Sequence, residues 1–139
     1  MKKILLIGST GFIGKKLKLA LSNNFILICP TKKMGFNITK KKELTKYLDN
    51  TIDIVINLSG QQDHNKKKMI NTVRDGNINI LNLAKKIKKK ITLIYISTSL
   101  VYGISKKNKK ETSKKTPINL YEKTKYDIEK KYSSCIFIQ

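Results

Sequence analysis

The stretch LLIGSTGFIGKKL, residues 5–17, decides the fold because three glycines separate an apolar run from an amphipathic segment. Gly8, Gly11 and Gly14 give the spacing GxxGxxG directly after a predicted strand and at the start of a predicted helix. Glycine lets the backbone approach a pyrophosphate, and the N–H groups and dipole of a helix N-terminus attract its charge. The pattern therefore predicts a dinucleotide-binding turn. A tight turn that only packs a helix closely on a strand is the alternative.

Apolar runs alternate with polar, helix-like segments along the rest of the chain. Strands are predicted at 3–8, 25–29, 53–58, 91–97 and in the terminal CIFIQ, and helices at 12–22, 39–48, 66–90 and 119–132. Strands that are nearly continuous in Ile, Leu and Val are typical of a parallel sheet covered on both faces. Right-handed crossovers then give an α/β fold, a Rossmann-like doubly wound parallel sheet with helices on both faces. In the first helix, Ile13, Leu17 and Leu21 lie on one stripe.

The segment after the second predicted strand bears on the choice between NAD and NADP. An acidic residue usually holds the ribose 2′-hydroxyl of NAD at this place. Here the sequence is ICPTKKMG, which has no Asp or Glu but contains Thr31, Lys32 and Lys33. Cations at this position suit the 2′-phosphate of NADP, so the cofactor is expected to be NAD or NADP, with NADP favoured. Lysines occur throughout the chain, so chance placement is the competing explanation.

The formal charge of +21 would attract polyanions, including nucleic acid. Of the 30 basic residues, however, only Arg74 is arginine, and the other 29 are lysines spread over every polar segment. Specific base and phosphate recognition favours arginine and exposed aromatic side chains. The charge is therefore interpreted as a composition bias, and nucleic-acid binding is kept as a minority hypothesis.

The chain is predicted to be a cytoplasmic, folded protein. No apolar run reaches membrane-spanning length, and the opening MKKILLIG has too short an apolar stretch for an export signal. Cys29 and Cys135 lie in strand-like runs without CxxC spacing, and His64 is the single histidine. This composition argues against a metal site or a disulfide framework, so both cysteines are expected to be small buried residues.

Three tyrosines are followed four positions later by a lysine, the spacing of helix neighbours. The pairs are Tyr102/Lys106, Tyr121/Lys125 and Tyr126/Lys130. A Tyr/Lys pair on one helical turn can share a proton and do chemistry. In a chain this rich in lysine, such pairs also arise by chance, so spacing alone does not distinguish them.

Several segments in order resemble the extended short-chain dehydrogenase/reductase family, the NAD(P)-dependent epimerase/dehydratase group that acts largely on nucleotide sugars. The matching segments are GSTGFIG (residues 8–14), IDIVINLSG (52–60), YISTSLVYG (95–103) and ETSKKTPINLYEKTKYDIEK (111–130). They are similar to the family's dinucleotide turn, its fourth strand, its fifth strand and its Y-x-x-x-K segment. The resemblance spans essentially the whole chain and implies an oxidoreductase, epimerase or dehydratase that transfers a hydride.

The resemblance also separates the three Tyr/Lys pairs. It places Tyr102 in the family's Val-Tyr-Gly corner, and Tyr126 lies well off the face of the last helix that carries Tyr121. Tyr121 and Lys125 fall where the family has its catalytic pair, with the phenol as general acid/base and the ammonium lowering the pKa of the phenol. Thr98 matches the family's third catalytic residue, and Ser99 is the alternative, since strand alternation would place the two on opposite sides.

Further cofactor contacts follow from the resemblance by position. They are Phe12 and Ile13 after the glycine turn, Asn37 and Ile38 near the adenine, and Leu58, Ser59 and Gly60 after the family's fourth strand. The sequence departs from the family pattern at three positions that the family usually keeps. Asn37 replaces a common Asp, Glu122 replaces the usual Gly or Ala, and Val73 stands where the family has Asn.

The resemblance implies a single NAD(P)-binding domain over residues 1–139 that ends at about the family's sixth strand, without the C-terminal substrate-binding region. The expected partner is a nucleotide-sugar-like small molecule, and a homodimer is left open. Two alternatives to an active enzyme remain, a dinucleotide-binding protein without turnover and a truncated fragment. A basic nucleic-acid-binding module is the third.

Overall fold

Five strands form one sheet in this computed structural model. They are β1 (Lys3–Ile7), β2 (Ile26–Ile28), β3 (Ile54–Asn57), β4 (Thr92–Ile96) and β5 (Ile136–Ile138). All pairings are parallel, and the strand order is β2-β1-β3-β4-β5. The predicted Rossmann-like doubly wound sheet is confirmed. The structure describes residues 1–60, 65–105 and 108–132 and the backbone of β5, so His64, Lys106 and Cys135 lie outside the described residues.

The helices lie between the strands in the predicted alternation. They are α1 (Phe12–Leu21), α2 (Lys41–Leu44), α3 (Lys66–Ile70), α4 (Gly76–Ala84) and α5 (Leu120–Lys131). Short 3-10 turns occupy Lys32–Met34 and Ser99–Tyr102, and a π turn occupies Asn71–Asp75. Across the described ranges, no helix combines the length and the hydropathy needed to cross a bilayer.

The alternation of β1 divides the core between the two faces of the sheet. Leu5 and Ile7 point to one face, where they join buried residues of α2, α4 and α5. Ile4 and Leu6 point to the other face, where Leu17 and Leu21 of α1 pack against them. Leucine and isoleucine on both faces of one strand are what a sheet covered on both sides requires.

The helix predicted at 39–48 is only four residues long in the structure. The hydroxyl of Thr45 donates a 2.9 Å hydrogen bond to Lys42 O, a local bond that competes with helix continuation. The chain then continues in turns, and Leu44 and Leu48 still reach the core. A helix was therefore predicted correctly in this segment, but its length was not.

The helix predicted at 66–90 is divided by the π turn and ends at Ala84. Gly76 N donates to Asn71 O, one residue further back than in an α-helix, and the Asn77 side-chain amide donates to Val73 O at 2.6 Å. Beyond Ala84 the sequence KKIKKK places like charges three and four positions apart, which destabilises a helix.

The resemblance counts β3, β4 and β5 as the family's fourth, fifth and sixth strands. Residues 29–53 are all described, and none of them forms a strand, so β5 is the fifth described strand. The apolar residues of this segment instead pack along the edge of the larger core cluster, with Phe36, Ile38 and Ile52 buried there.

Candidate active site

The turn between β1 and α1 sets a helix N-terminus against the end of β1. Gly8 has φ 85°, a left-handed conformation that favours glycine, and its carbonyl accepts a 3.1 Å hydrogen bond from Gly11 N. At Gly14, an added Cβ atom would lie 2.2 Å from Gly8 O, so this contact also requires glycine. The N-terminus of α1 has no side-chain cap and no acidic residue in its first turn. Its N–H groups can therefore bind an anion.

A cleft of about 560 Å³ opens beside this turn. It lies between the ends of β1 and β3, where the strand order reverses and where open α/β sheets bind ligands. Nine of the residues predicted to bind cofactor line it: Gly8, Gly11, Thr31, Lys32, Asn37, Ile38, Leu58, Ser59 and Gly60. The fold thus brings together residues from three separate segments that the resemblance had selected.

Phe12, Ile13 and Gly14 do not line the cleft. The side chains of Phe12 and Ile13 are 78% and 57% exposed. Helix α1 packs on the sheet through Leu17 and Leu21, whereas Ile13, one turn earlier on the same stripe, lies at the exposed start of the helix. The assignment of these three residues to cofactor binding stays a prediction. Since the side chains of Phe12 and Ile13 lie outside the cleft, any contact with the cofactor would come from their backbone N–H groups.

The far end of the cleft is lined by cationic side chains from two elements. Lys32 and Lys33 belong to the 3-10 turn after β2, and Lys68 comes from α3. Asn37, which replaces the family's Asp, accepts hydrogen bonds from Thr39 N at 2.9 Å and from the Thr39 hydroxyl at 2.8 Å. Sequence reasoning did not select Lys68, because nothing in the α3 pattern shows which strand end it approaches.

A buried amide chain supports the β3 side of the cleft. Asn57 Nδ2 donates to Asn77 Oδ1 at 2.8 Å, and Asn57 Oδ1 accepts from Ser59 N and from the Ser59 hydroxyl at 2.9 and 2.6 Å. The hydroxyl of Tyr132, from the residue after α5, donates to Asn77 O at 2.7 Å. Val73, which stands where the family has Asn, is buried beside this chain in the π turn. Asn57 and Asn77 were missed, since amide pairs across different elements leave no local pattern.

Helix α5 begins with a capping box that explains one departure from the family pattern. Asn119 Oδ1 accepts from Glu122 N at 2.9 Å, and the Glu122 carboxylate accepts from Asn119 N at 3.2 Å. The same carboxylate accepts from Ile118 N at 2.5 Å and is buried. Glu122 therefore fixes the start of the helix that carries Tyr121, a role that Gly or Ala could not take.

Tyr121 and Lys125 lie together beside the end of β4. Lys125 Nζ is 5.7 Å from the centre of the Tyr121 ring and 4.8 Å from that of Tyr95. The same ammonium donates a 2.7 Å hydrogen bond to Ile96 O, at the last residue of β4. Lys125 is buried and Tyr121 half-buried. The pair that the resemblance selected therefore faces the same edge of the sheet as the cleft.

Burial shifts both members of this pair toward their neutral forms. It lowers the pKa of Lys125 to about 8, against the opposing charge of Glu129. Burial also raises the pKa of the Tyr121 phenol. The sequence interpretation predicted a lowered pKa for this phenol, so the direction was wrong, because burial desolvates the ionised phenol. Lys125 does not line the cleft itself, but a buried lysine whose pKa is lowered this far is a functional-site signal.

Thr98 stands two residues beyond β4. Its hydroxyl oxygen accepts a 3.3 Å hydrogen bond from Leu100 N and caps the 3-10 turn that begins at Ser99. Since β4 ends at Ile96, strand alternation does not extend to Thr98 and Ser99. Ser99 is exposed and Thr98 partly buried, so Thr98 remains the candidate from this segment. Its catalytic role stays a prediction.

The other tyrosines have different surroundings. Tyr102 is buried in the corner, where its hydroxyl donates to Glu111 O at 3.3 Å. Lys130 lies 4.5 Å from the centre of the Tyr126 ring and pairs with Asp127 at 2.9 Å on the surface. This agrees with the interpretation of Tyr126 and Lys130 as a packed ring and a solvated charge.

Solved structures with the same fold were found among enzymes of nucleotide-sugar metabolism. The dTDP-4-dehydrorhamnose reductase of Bacillus anthracis, solved with NADP, superposes with a TM-score of 0.84 at 21% identity over 99% of this chain and 52% of its own. RMD from Pseudomonas aeruginosa, solved with NADPH, gives 0.81 at 21% over 99% and 52%. The UDP-Glc/GlcNAc 4-epimerase of Campylobacter jejuni gives 0.82 at 17% over 96% and 49%.

The chain therefore spans about half the length of these solved structures. At such identities the likeness establishes the fold. The comparison with curated protein sequences gave no match. A sequence profile of the NAD dependent epimerase/dehydratase family matches residues 4–137, nearly the whole chain. This chain belongs to the NAD dependent epimerase/dehydratase family.

Proposed function

We propose that this chain is the NAD(P)-binding portion of an oxidoreductase, epimerase or dehydratase that acts on a nucleotide sugar. The observation that carries the proposal is the cleft itself. An uncapped helix N-terminus, a glycine turn and nine predicted contact residues meet at the point where the strand order reverses. The Tyr121/Lys125 pair of α5 lies at the same edge of the sheet, where Lys125 donates to Ile96 O at the end of β4.

The residues present fit a dinucleotide. Gly8, Gly11 and the first N–H groups of α1 would hold the diphosphate, and Asn37 and Ile38 would lie along the adenosine. A bound nicotinamide supplies the hydride chemistry. Thr98 would hold the reacting oxygen of the substrate, and Tyr121 would donate or accept the proton there. Lys125, held by Ile96 O, would place its ammonium beside the phenol, where a positive charge opposes the burial that raises the pKa of Tyr121.

Cations at the adenosine end favour NADP. The 2′-phosphate would face Thr31, Lys32 and Lys33, and Lys68 lines the same cleft from α3. Two of the solved structures with this fold were obtained with NADPH and NADP, and a third, a dTDP-glucose 4,6-dehydratase, with NAD. The lysines at this end of the cleft support NADP or NADPH as the cofactor rather than NAD.

Fluorescence titration with NADPH and NADH tests cofactor binding and cofactor choice together. We expect NADPH to bind at least about tenfold more tightly than NADH, because a charge-assisted contact to the 2′-phosphate stabilises the complex by roughly 1.5–3 kcal/mol. Lys32→Ala should lower NADPH affinity about tenfold and leave NADH affinity unchanged. The matched control is Lys85→Ala at the exposed end of α4, which should bind as the wild type does. Equal loss of affinity in both variants would point to nonspecific attraction by the charge of +21.

One observation favours a second candidate, a dinucleotide-binding protein without turnover. The chain covers only about half of the enzymes whose fold it shares. Turnover with dTDP-4-dehydrorhamnose and NADPH, followed by nicotinamide absorbance, separates the two candidates. A chain that binds NADPH and oxidises none of it across a panel of nucleotide sugars supports the second.

A further inference from the structure

Next to the proposed active site lies a buried carboxylate that no proposed step uses. Glu129 is 5% exposed and stands one helical turn beyond Lys125 on α5. One of its carboxylate oxygens accepts from the hydroxyl of Ser97, which follows β4, and the other accepts from Lys115 Nζ at 2.5 Å. Burying a charged carboxylate costs free energy, so such a group requires hydrogen-bond and ion-pair partners that are held in place.

The contacts of Glu129 connect the two segments that supply the proposed catalytic residues, the chain after β4 and α5, with the loop that precedes α5. Ser97 lies between Ile96, whose carbonyl receives the Lys125 ammonium, and Thr98. Lys115 belongs to the loop before α5, and its ammonium lies 5.7 and 5.6 Å from the ring centres of Tyr102 and Tyr126. One carboxylate therefore joins the end of β4, the loop and α5.

The same loop is fixed to the corner after β4. Thr116 N donates to Val101 O at 2.9 Å, and the Thr116 hydroxyl donates to Tyr102 O at 2.9 Å. These bonds place Lys115 at the outer end of the carboxylate, with its side chain 23% exposed against 4% for that of Glu129. The cluster thus has an inner, hydroxyl-bound oxygen and an outer, ammonium-bound oxygen.

We propose, on the basis of the function proposed above, that Glu129 is the positioning residue of this site, which holds the β4 end and the loop around Lys125 and keeps the Lys125 ammonium charged. A charged Lys125 would donate stronger hydrogen bonds to the ribose hydroxyls of a nicotinamide cofactor than the neutral amine, and only the charged form would attract an ionised phenol. The buried negative charge opposes the desolvation that favours neutral Lys125.

The groups around Lys125 make the direction of the effect clear. Tyr95 from β4 and Tyr121 from α5 present rings to the ammonium, and Glu129 presents the charge. In the π turn packed on α5, Arg74 and Asp75 pair with each other at 2.7 Å on the surface. The lysines of α3 are exposed. Loss of the Glu129 charge should therefore lower the pKa of Lys125 below about 8, so that its ammonium is lost at lower pH.

The test is the dissociation constant of NADPH, measured by fluorescence between neutral and alkaline pH. Wild type should lose affinity as the pH rises through the pKa of Lys125, and Lys125→Met should lack this transition. Glu129→Gln keeps the shape and the hydrogen-bonding oxygen and removes the charge, so its midpoint should fall by about one pH unit. The matched control is Glu43→Gln, at a partly exposed carboxylate that pairs with Lys46, and its midpoint should equal that of wild type.

A second variant keeps the proposal testable if Glu129→Gln does not fold, which circular dichroism would show. Lys115→Met removes a cation from the outer end of the cluster, so the midpoint should move in the opposite direction, to higher pH. An unchanged midpoint in folded Glu129→Gln, a midpoint in Lys115→Met that does not rise, or an alkaline transition retained in Lys125→Met overturns the role of Glu129. NADPH binding would then still support the proposed function, whereas wild type that binds no NADPH at any pH overturns both.

Discussion

With any nucleotide sugar that the wild-type chain reduces, Tyr121→Phe is expected to slow NADPH oxidation at least about a hundredfold, the usual contribution of a general acid/base group. The substitution removes one hydroxyl and keeps the half-buried ring, so the packing around Lys125 stays intact. Affinity for NADPH should change by less than about twofold, since a residue that acts mainly on the reacting oxygen contributes little to ground-state binding.

The matched control for this experiment is on the same helix. Tyr126→Phe removes the hydroxyl of a ring that contacts Lys130 rather than Lys125, and it should retain the wild-type rate. The rates are measured by nicotinamide absorbance and the affinities by fluorescence titration. Equal rates for wild type and Tyr121→Phe, or equal losses in both variants, would remove Tyr121 from the mechanism.

Gly14→Ala should destabilise the fold by about 3 kcal/mol, the upper range for overpacking a tight contact. The new methyl group would lie 2.2 Å from Gly8 O and 2.7 Å from Ser9 Cα, and both are backbone atoms that cannot rotate away. Helix α1 would have to shift away from the turn, so we expect both the free energy of unfolding and the affinity for NADPH to decrease. The measurement is denaturant unfolding, followed by NADPH titration of the folded protein.

Gly11→Ala separates packing from ligand approach. Its added Cβ atom would lie 3.4 Å from Gly8 O, in ordinary contact, and the residue has φ −72°, which alanine adopts readily. We expect less than about 1 kcal/mol of destabilisation, since the position is a helix N-cap. NADPH affinity should nevertheless fall at least about tenfold, because Gly11 lines the cleft where the diphosphate would approach. Unimpaired NADPH binding by this variant would show that the ligand does not use the turn.

Local sequence patterns predicted most of the sheet, because strand geometry alone decides which face of the sheet each apolar residue occupies. Residues 5–7 alternate between the two core clusters, and the glycine spacing marks the turn before α1. The helix predicted at 119–132 agrees with α5 (Leu120–Lys131), because the preference for Asn at a helix start, here Asn119, is local. The short α2 and the π turn were missed. A Thr or Asn side chain in a helix-like segment can point to solvent or donate to a backbone carbonyl three or four residues earlier, as Thr45 and Asn77 do, and the sequence does not show which.

The site shows the same division between local and distant information. The resemblance selected Tyr121 and Lys125, and the structure places the Lys125 ammonium against Ile96 O and 5.7 Å from the centre of the Tyr121 ring. It did not select Ser97 or Glu129, which are 32 residues apart in sequence and meet only when α5 packs beside β4. The direction of the Tyr121 pKa shift was missed for a related reason, since burial of the ring depends on that packing.

A crystal structure of the chain grown with NADPH is the most direct test of the central claim. The account predicts the diphosphate against the N-terminus of α1 at Gly8 and Gly11, the 2′-phosphate near Lys32, and the nicotinamide ring beside Tyr121. A cofactor bound elsewhere, or a nicotinamide ring directed away from Tyr121 with the diphosphate in place, would contradict it.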